Sequence, residues 1–183
     1  MTTPRRRPSR APILVTVVGF AIAIALVLFA LRGFPAPQAT IDQAGSADAP
    51  RDVSVIMRDY RFQPDPLRLI PGERVRFTVL NGGLEAHEFV LGDDDVQRAW
   101  ESADAAATPP LPLTTAPPAS VPPDTGGVRV LLASGGEGTA IFDVPEVGEL
   151  LLMCHIPGHV EAGMVGEVRL VELGAEGSPA VSR

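Results

Sequence analysis

The chain has no lysine, a single cysteine, three histidines, one tryptophan and one tyrosine in 183 residues. Each scarcity excludes something. One cysteine forbids an internal disulfide, so no cross-link staples this fold, and it falls short of the thiolates an iron–sulfur cluster needs. All 15 basic residues are arginine, and five of them precede the first acidic residue, Asp42. From residue 33 onward 10 Arg face 22 Asp and Glu, a formal charge of −12. So acidic a body argues against nucleic acid and would help steer a basic partner. No internal repeat is visible, the Gly135-Gly136 pair lies between strands and cradles no phosphate, and nothing resembles a Ser-His-Asp array.

What is present begins at the N-terminus. Arg5, Arg6, Arg7 and Arg10 precede Ala11 to Leu31, 21 positions without a charge. As a helix that stretch rises about 30 Å, enough to cross a bilayer core. Basic residues before it and acidic ones after it place the N-terminus in the cytoplasm and the body outside. Residues 1–10 therefore read as a cytoplasmic basic segment and residues 11–32 as a single-pass plasma-membrane anchor. A cleavable export signal is the alternative. It shares the basic flank, but its apolar core usually runs only about 7–15 residues, and no Ala-x-Ala site follows Arg32. Both readings export the body, where a free thiol is prone to oxidation. Burial of Cys154 under a metal would protect it; a buried structural cysteine is the plainer alternative.

Residues 33–50 carry Pro, Ala, Gly, Gln and Ser without periodicity and read as a flexible linker. Short strands follow. Val53, Val55 and Met57 alternate with Ser54 and Ile56, and Leu67 and Leu69 flank Arg68. Val75, Phe77 and Val79 alternate with Arg74, Arg76 and Thr78 up to the Asn81-Gly82-Gly83 turn. Further strands are predicted at His87–Leu91, Val128–Ala133, Thr139–Val144, Glu149–His155 and Val165–Glu172. Residues 92–127 break the rhythm with a short helix over Asp94–Ala107, carrying Trp100, and seven prolines within 108–123. Residues 174–183 read as a disordered tail. Seven or eight short strands predict an all-β, Greek-key β-sandwich.

The chemistry concentrates on one loop. Cys154, His159 and Met164 supply a thiolate, an imidazole and a thioether at intervals of five. Those soft donors suit copper, whereas a thioether is a poor ligand for zinc. The missing ligand falls to His87, which begins a strand after the Asn81 turn. Two histidines, a cysteine and a long axial methionine make a one-electron blue-copper site. Strand alternation turns Met153 and His155 away from it, and Met57 and Met153 read as core. Asp93–Asp95 and Glu161 read as solvated surface charge.

Over Asp52 to Glu172 the sequence resembles the cupredoxins, the plastocyanin and azurin family. The strand Arg74–Leu80, the Asn81 turn, His87-Glu88-Phe89 and Cys154-x4-His159-x4-Met164 carry the resemblance. It implies a cupredoxin domain over 51–173 in which His87, Cys154, His159 and Met164 hold one type 1 copper. Glu88 departs from the Asn common after the first histidine; its backbone N–H is still able to reach the cysteine sulfur. A histidine beside the cysteine serves a second copper centre in multicopper oxidases and copper nitrite reductases. Such centres need more histidines than His155 alone, so an electron carrier rather than an enzyme is expected. The edge of His159 would be its electron port to redox protein partners, and the domain is expected as a monomer. A copper-buffering or delivery module without electron transfer is the alternative.

Overall fold

Alternation sets the first sheet. In the computed structural model, which describes residues 40–107 and 119–174, β1 (Arg51–Arg58) buries Val53, Val55 and Met57. β4 (Arg74–Asn81) buries Val75, Phe77 and Val79 on the same side. The two run parallel, Val53 opposite Phe77 and Val55 opposite Val79. β2 (Arg61–Gln63) and β7 (Glu137–Asp143) flank them antiparallel, giving the order β2-β1-β4-β7.

The second sheet has the order β6-β5-β8-β9, from β6 (Val128–Leu132), β5 (His87–Gly92), β8 (Leu151–Met153) and β9 (Val165–Gly166). A parallel pair, β3 (Leu67–Leu69) with β10 (Val168–Leu170), forms a separate two-stranded sheet. The core includes Phe62, Phe77, Phe89 and Phe142, with the Phe77 and Phe89 ring centroids 5.0 Å apart. Burying each such ring contributes about 1.5–3 kcal/mol over leaving it in water.

Every residue of β5 is buried, because both of its faces are covered. One face carries Phe89 and Leu91 into the core, while the helix α1 (Asp94–Ala107) packs against the strand. Gln97 of α1 donates to the Val90 and Leu151 carbonyls, 3.2 and 2.8 Å away, and so bolts the helix to β5 and β8. At Gly92 a Cβ would stand 2.6 Å from Val96, so only glycine lets the helix come this close.

The structure departs from the sequence reading in detail. The described residues hold ten strands rather than seven or eight, since β2 escapes a periodicity search and the segment Val165–Glu172 breaks into β9 and β10. Residues 41–50, read as the end of a linker, are fastened to the sandwich. Gly45 accepts from the Arg74 N–H at 3.1 Å, and Ile41 accepts from the Gly174 N–H at 2.9 Å. The predicted anchor, residues 33–39 of the linker, residues 108–118 of the insertion and residues 175–183 of the tail lie outside the described residues. Among the described residues no helix is long and apolar enough to cross a membrane.

Candidate metal centre

His87, Cys154 and His159 converge at one end of the sandwich. Asn81 prepares the approach of the first. Its amide donates to the Glu85 and Leu132 carbonyls at 2.8 and 2.9 Å, and its oxygen accepts from the Gly83 N–H at 2.9 Å. That fixes the turn and delivers His87 to the start of β5, fully buried. The second and third residues come from the loop after β8. Pro157-Gly158 reverses the chain, with Gly158 at φ 90°. His159 N–H donates to the Ile156 carbonyl (3.0 Å), Met164 N–H to the His159 carbonyl (2.8 Å), and Cys154 N–H to the Met164 carbonyl (3.3 Å). The loop is thus tied by its own backbone.

The side chains meet closely. His87 Nδ1 lies 3.2 Å from His159 Nδ1, which lies 3.3 Å from Cys154 Sγ. All three are buried, with one donor atom each inside a 4.8 Å span, and they form the one such cluster of His, Cys, Asp or Glu among the described residues. Met164 is fully buried in the core beside Cys154. Burial pushes the Cys154 thiol up to about 11, against the pull of the Glu88 and Ile156 N–H groups. The Glu88 N–H points at Sγ from 3.3 Å, so the backbone contact expected at this position is present despite the missing Asn.

The Glu88 side chain turns the other way. It is buried against Arg129, whose guanidinium also bonds Asp104 at 2.9 Å and stacks 4.5 Å over the Trp100 ring. Burial raises the Glu88 carboxyl to about 7. His155 also faces away, as alternation predicts: its Nε2 bonds Gln97 Oε1 at 2.8 Å, and burial lowers its pKa. With Met153, half-buried rather than core, it lines a cleft of about 420 Å³ between α1 and the Cys154 loop.

His159 differs from expectation. Its edge was read as an exposed port, yet the residue is only 5% exposed. The tip of the β1–β2 hairpin covers it. Tyr60 sits edge-on at 5.3 Å from the His159 ring and 6.4 Å from the His87 ring. Its φ of 64° is left-handed, a conformation that costs a bulky residue about 1–3 kcal/mol. Asp59 Oδ1 lies 3.1 Å from His87 Nε2, and Glu85 Oε2 lies 3.3 Å from His159 Nε2 and accepts from the Tyr60 hydroxyl at 3.4 Å. The hydrogen bond to His87 holds the Asp59 carboxyl below its ordinary range. Sequence reasoning missed Asp59, Tyr60 and Glu85, which belong to no motif and reach the histidines only through the fold.

Two imidazoles and one thiol, buried together without a carboxylate among the nearest donors, fit copper. No family model matches the chain. It is 39% identical over 124 residues to the copper-resistant cuproprotein CopI of Rubrivivax gelatinosus, covering 67% of this chain and 68% of that protein. The CopI of Pseudomonas aeruginosa is 28% identical over 162 residues, 78% of this chain and 90% of that one. Among solved structures, auracyanin B matches with a TM-score of 0.52 at 28% identity over 74% of this chain and 99% of its own. Auracyanin A, a "blue" copper protein of Chloroflexus aurantiacus, matches at 0.51 and 20% identity over 67% of this chain and all of its own (100%). The chain belongs to the copper-resistant cuproprotein CopI family and is a cupredoxin with a type 1 site for one copper.

Proposed function

We propose that this cupredoxin transfers single electrons between protein partners outside the cytoplasmic membrane, held there by residues 11–32, with His87, Cys154, His159 and Met164 as its ligands. The observation that carries this reading is the buried His87–Cys154–His159 cluster, whose loop is tied by its own backbone hydrogen bonds. Copper bound there supplies a Cu(I)/Cu(II) couple. The protein's part is to keep the donors still. Cys154 leaves the end of β8 and His87 opens β5, so two strands of one sheet fix them, and a fixed donor set changes little between oxidation states. The Glu88 N–H stabilises charge on the sulfur. Met164, buried in the core with Cys154, would be the weak axial ligand. No catalytic role is proposed, because His155 is bonded to Gln97 and no other histidine is left to build a second centre.

The acidic body suits a basic redox partner, met by a monomer, and a tether raises the local concentration near membrane-bound chains. A second reading, copper sequestration without electron flow, is favoured by one specific observation: His159, through whose edge electrons would pass, is only 5% exposed, with Tyr60 packed 5.3 Å from its ring. The copper-resistance names of the relatives support it too. Absorption, EPR and voltammetry of the copper-loaded chain decide. Electron transfer requires the intense visible band of a copper–thiolate bond, its loss in Cys154→Ala, and a reversible one-electron wave. A coloured protein that hands copper to an acceptor but shows no reversible wave supports sequestration. A colourless Cu(II) protein sinks both.

A further inference from the structure

Each of the two copper-facing histidines has a carboxylate on its far nitrogen. His87 Nε2 meets Asp59 at 3.1 Å and His159 Nε2 meets Glu85 at 3.3 Å. The arrangement is built, not incidental. Asp59 Oδ1 also accepts the Leu84 N–H at 2.8 Å, which locks the hairpin tip to the loop that carries Glu85. Gly83 makes room: a Cβ there would stand 2.4 Å from Asp59 Oδ1 and 2.6 Å from His87 Nε2, so any larger residue would part the pair. Tyr60, in its left-handed conformation, stands 6.4 and 5.3 Å from the His87 and His159 rings and donates to Glu85.

An ionised carboxylate only accepts hydrogen bonds. An Nε2 that faces one therefore carries the hydrogen, which leaves Nδ1 of each ring as the nitrogen for a metal. The two Nδ1 atoms stand 3.2 Å apart, with the cysteine sulfur 3.3 Å from that of His159, so the ring nitrogens turned away from the carboxylates are the ones that converge with Cys154. We propose that Asp59 and Glu85 are positioning residues of the copper site, fixing His87 and His159 as Nε2–H tautomers and strengthening both as donors. Their negative charge favours the more highly charged Cu(II) over Cu(I), and so lowers the reduction potential. The inference rests on the copper site described above, and holds whether the protein carries electrons or stores metal.

The test uses the full-length chain in detergent, as wild type, D59A, D59N, E85A and E85Q. The side chains are 37% and 57% exposed, so truncation opens no core. On the copper-free protein, proton–nitrogen correlation of labelled histidine should show Nε2–H for His87 and His159, giving way to mixed tautomers in D59A at His87 and in E85A at His159. D59N and E85Q keep an acceptor oxygen and should hold the tautomer while losing the charge. On the loaded protein, chelator competition should show Cu(II) affinity about 10- to 100-fold weaker in each alanine variant. The potential should rise in all four variants, least in D59N and E85Q. Nδ1–H tautomers in the wild type, or affinity and potential unmoved by the alanine variants, overturn the role given to Asp59 and Glu85. A wild-type chain that takes up no copper is a different result, one that overturns the copper site itself.

Discussion

Cys154 must lose a proton before it can bind metal, and its surroundings make that costly. Burial raises the thiol from 9.0 to about 11. Because the folded value lies above the unfolded one, the buried thiol contributes stability fully below about pH 9 and loses it as pH climbs through about 11. Copper uptake near neutrality therefore expels the Cys154 proton, and apparent affinity should rise about tenfold per pH unit between about pH 7 and 9. Calorimetry in buffers of different ionisation enthalpy counts that proton; no release would mean the copper-free site already holds a thiolate. The central residues were legible because spacing advertises them: scarce Cys154 and His159 at a five-residue interval, with His87 after a glycine turn. Asp59 and Glu85 were not. They lie 28 and 74 positions from the histidines they touch, and a lone carboxylate in an acidic chain carries no mark.

Between neighbouring elements, Glu73 is the fastening that matters most. It is buried just before β4 and accepts from the Ile70 N–H at 2.8 Å and Arg51 Nε at 2.7 Å, with the Gly45 N–H at 3.3 Å. One carboxylate thus joins the segment before β1, the first residue of β1 and the end of β3. Glu73→Ala leaves Arg51 and the Ile70 N–H without it and should cost about 3–5 kcal/mol; denaturant unfolding of the copper-free chain measures this. A cost below about 1 kcal/mol would show that water replaces the carboxylate. Long alternating strands such as β4 were visible in the sequence because one face is core and the other is solvent. β2 was not: in three residues with one buried Phe62, a period of two has no room to show. The helix over Asp94–Ala107 was anticipated at its observed bounds, but its partner was not, since Gln97 gives no hint that it will bridge β5 and β8 and meet His155.

Taken whole, the molecule was easiest to read in its class. Acidity and a β-sandwich follow from composition and turn spacing, whereas the covering of the site depends on which hairpin tip arrives above it. The clustered side chains come from sheet ends and loops far apart in the chain, His87 from one side and Cys154 and His159 from the other. No single stretch can form the site alone, so copper reports on the fold as a unit. The backbone contact between Ile41 and Gly174 has a further consequence. Residues 41 and 174 meet at one spot, so the chain between them is effectively a ring cut at an arbitrary point. A circular permutant joining 174 to 41 through a short Gly-Ser link can be opened at Val147-Gly148, where Val147 is 83% exposed and nothing stands within 4 Å of a Cβ on Gly148. It should fold, bind copper and show the parent's visible spectrum, and loss of that spectrum would mean that the order of the strands, and not only their arrangement, is needed to bring the ligands together.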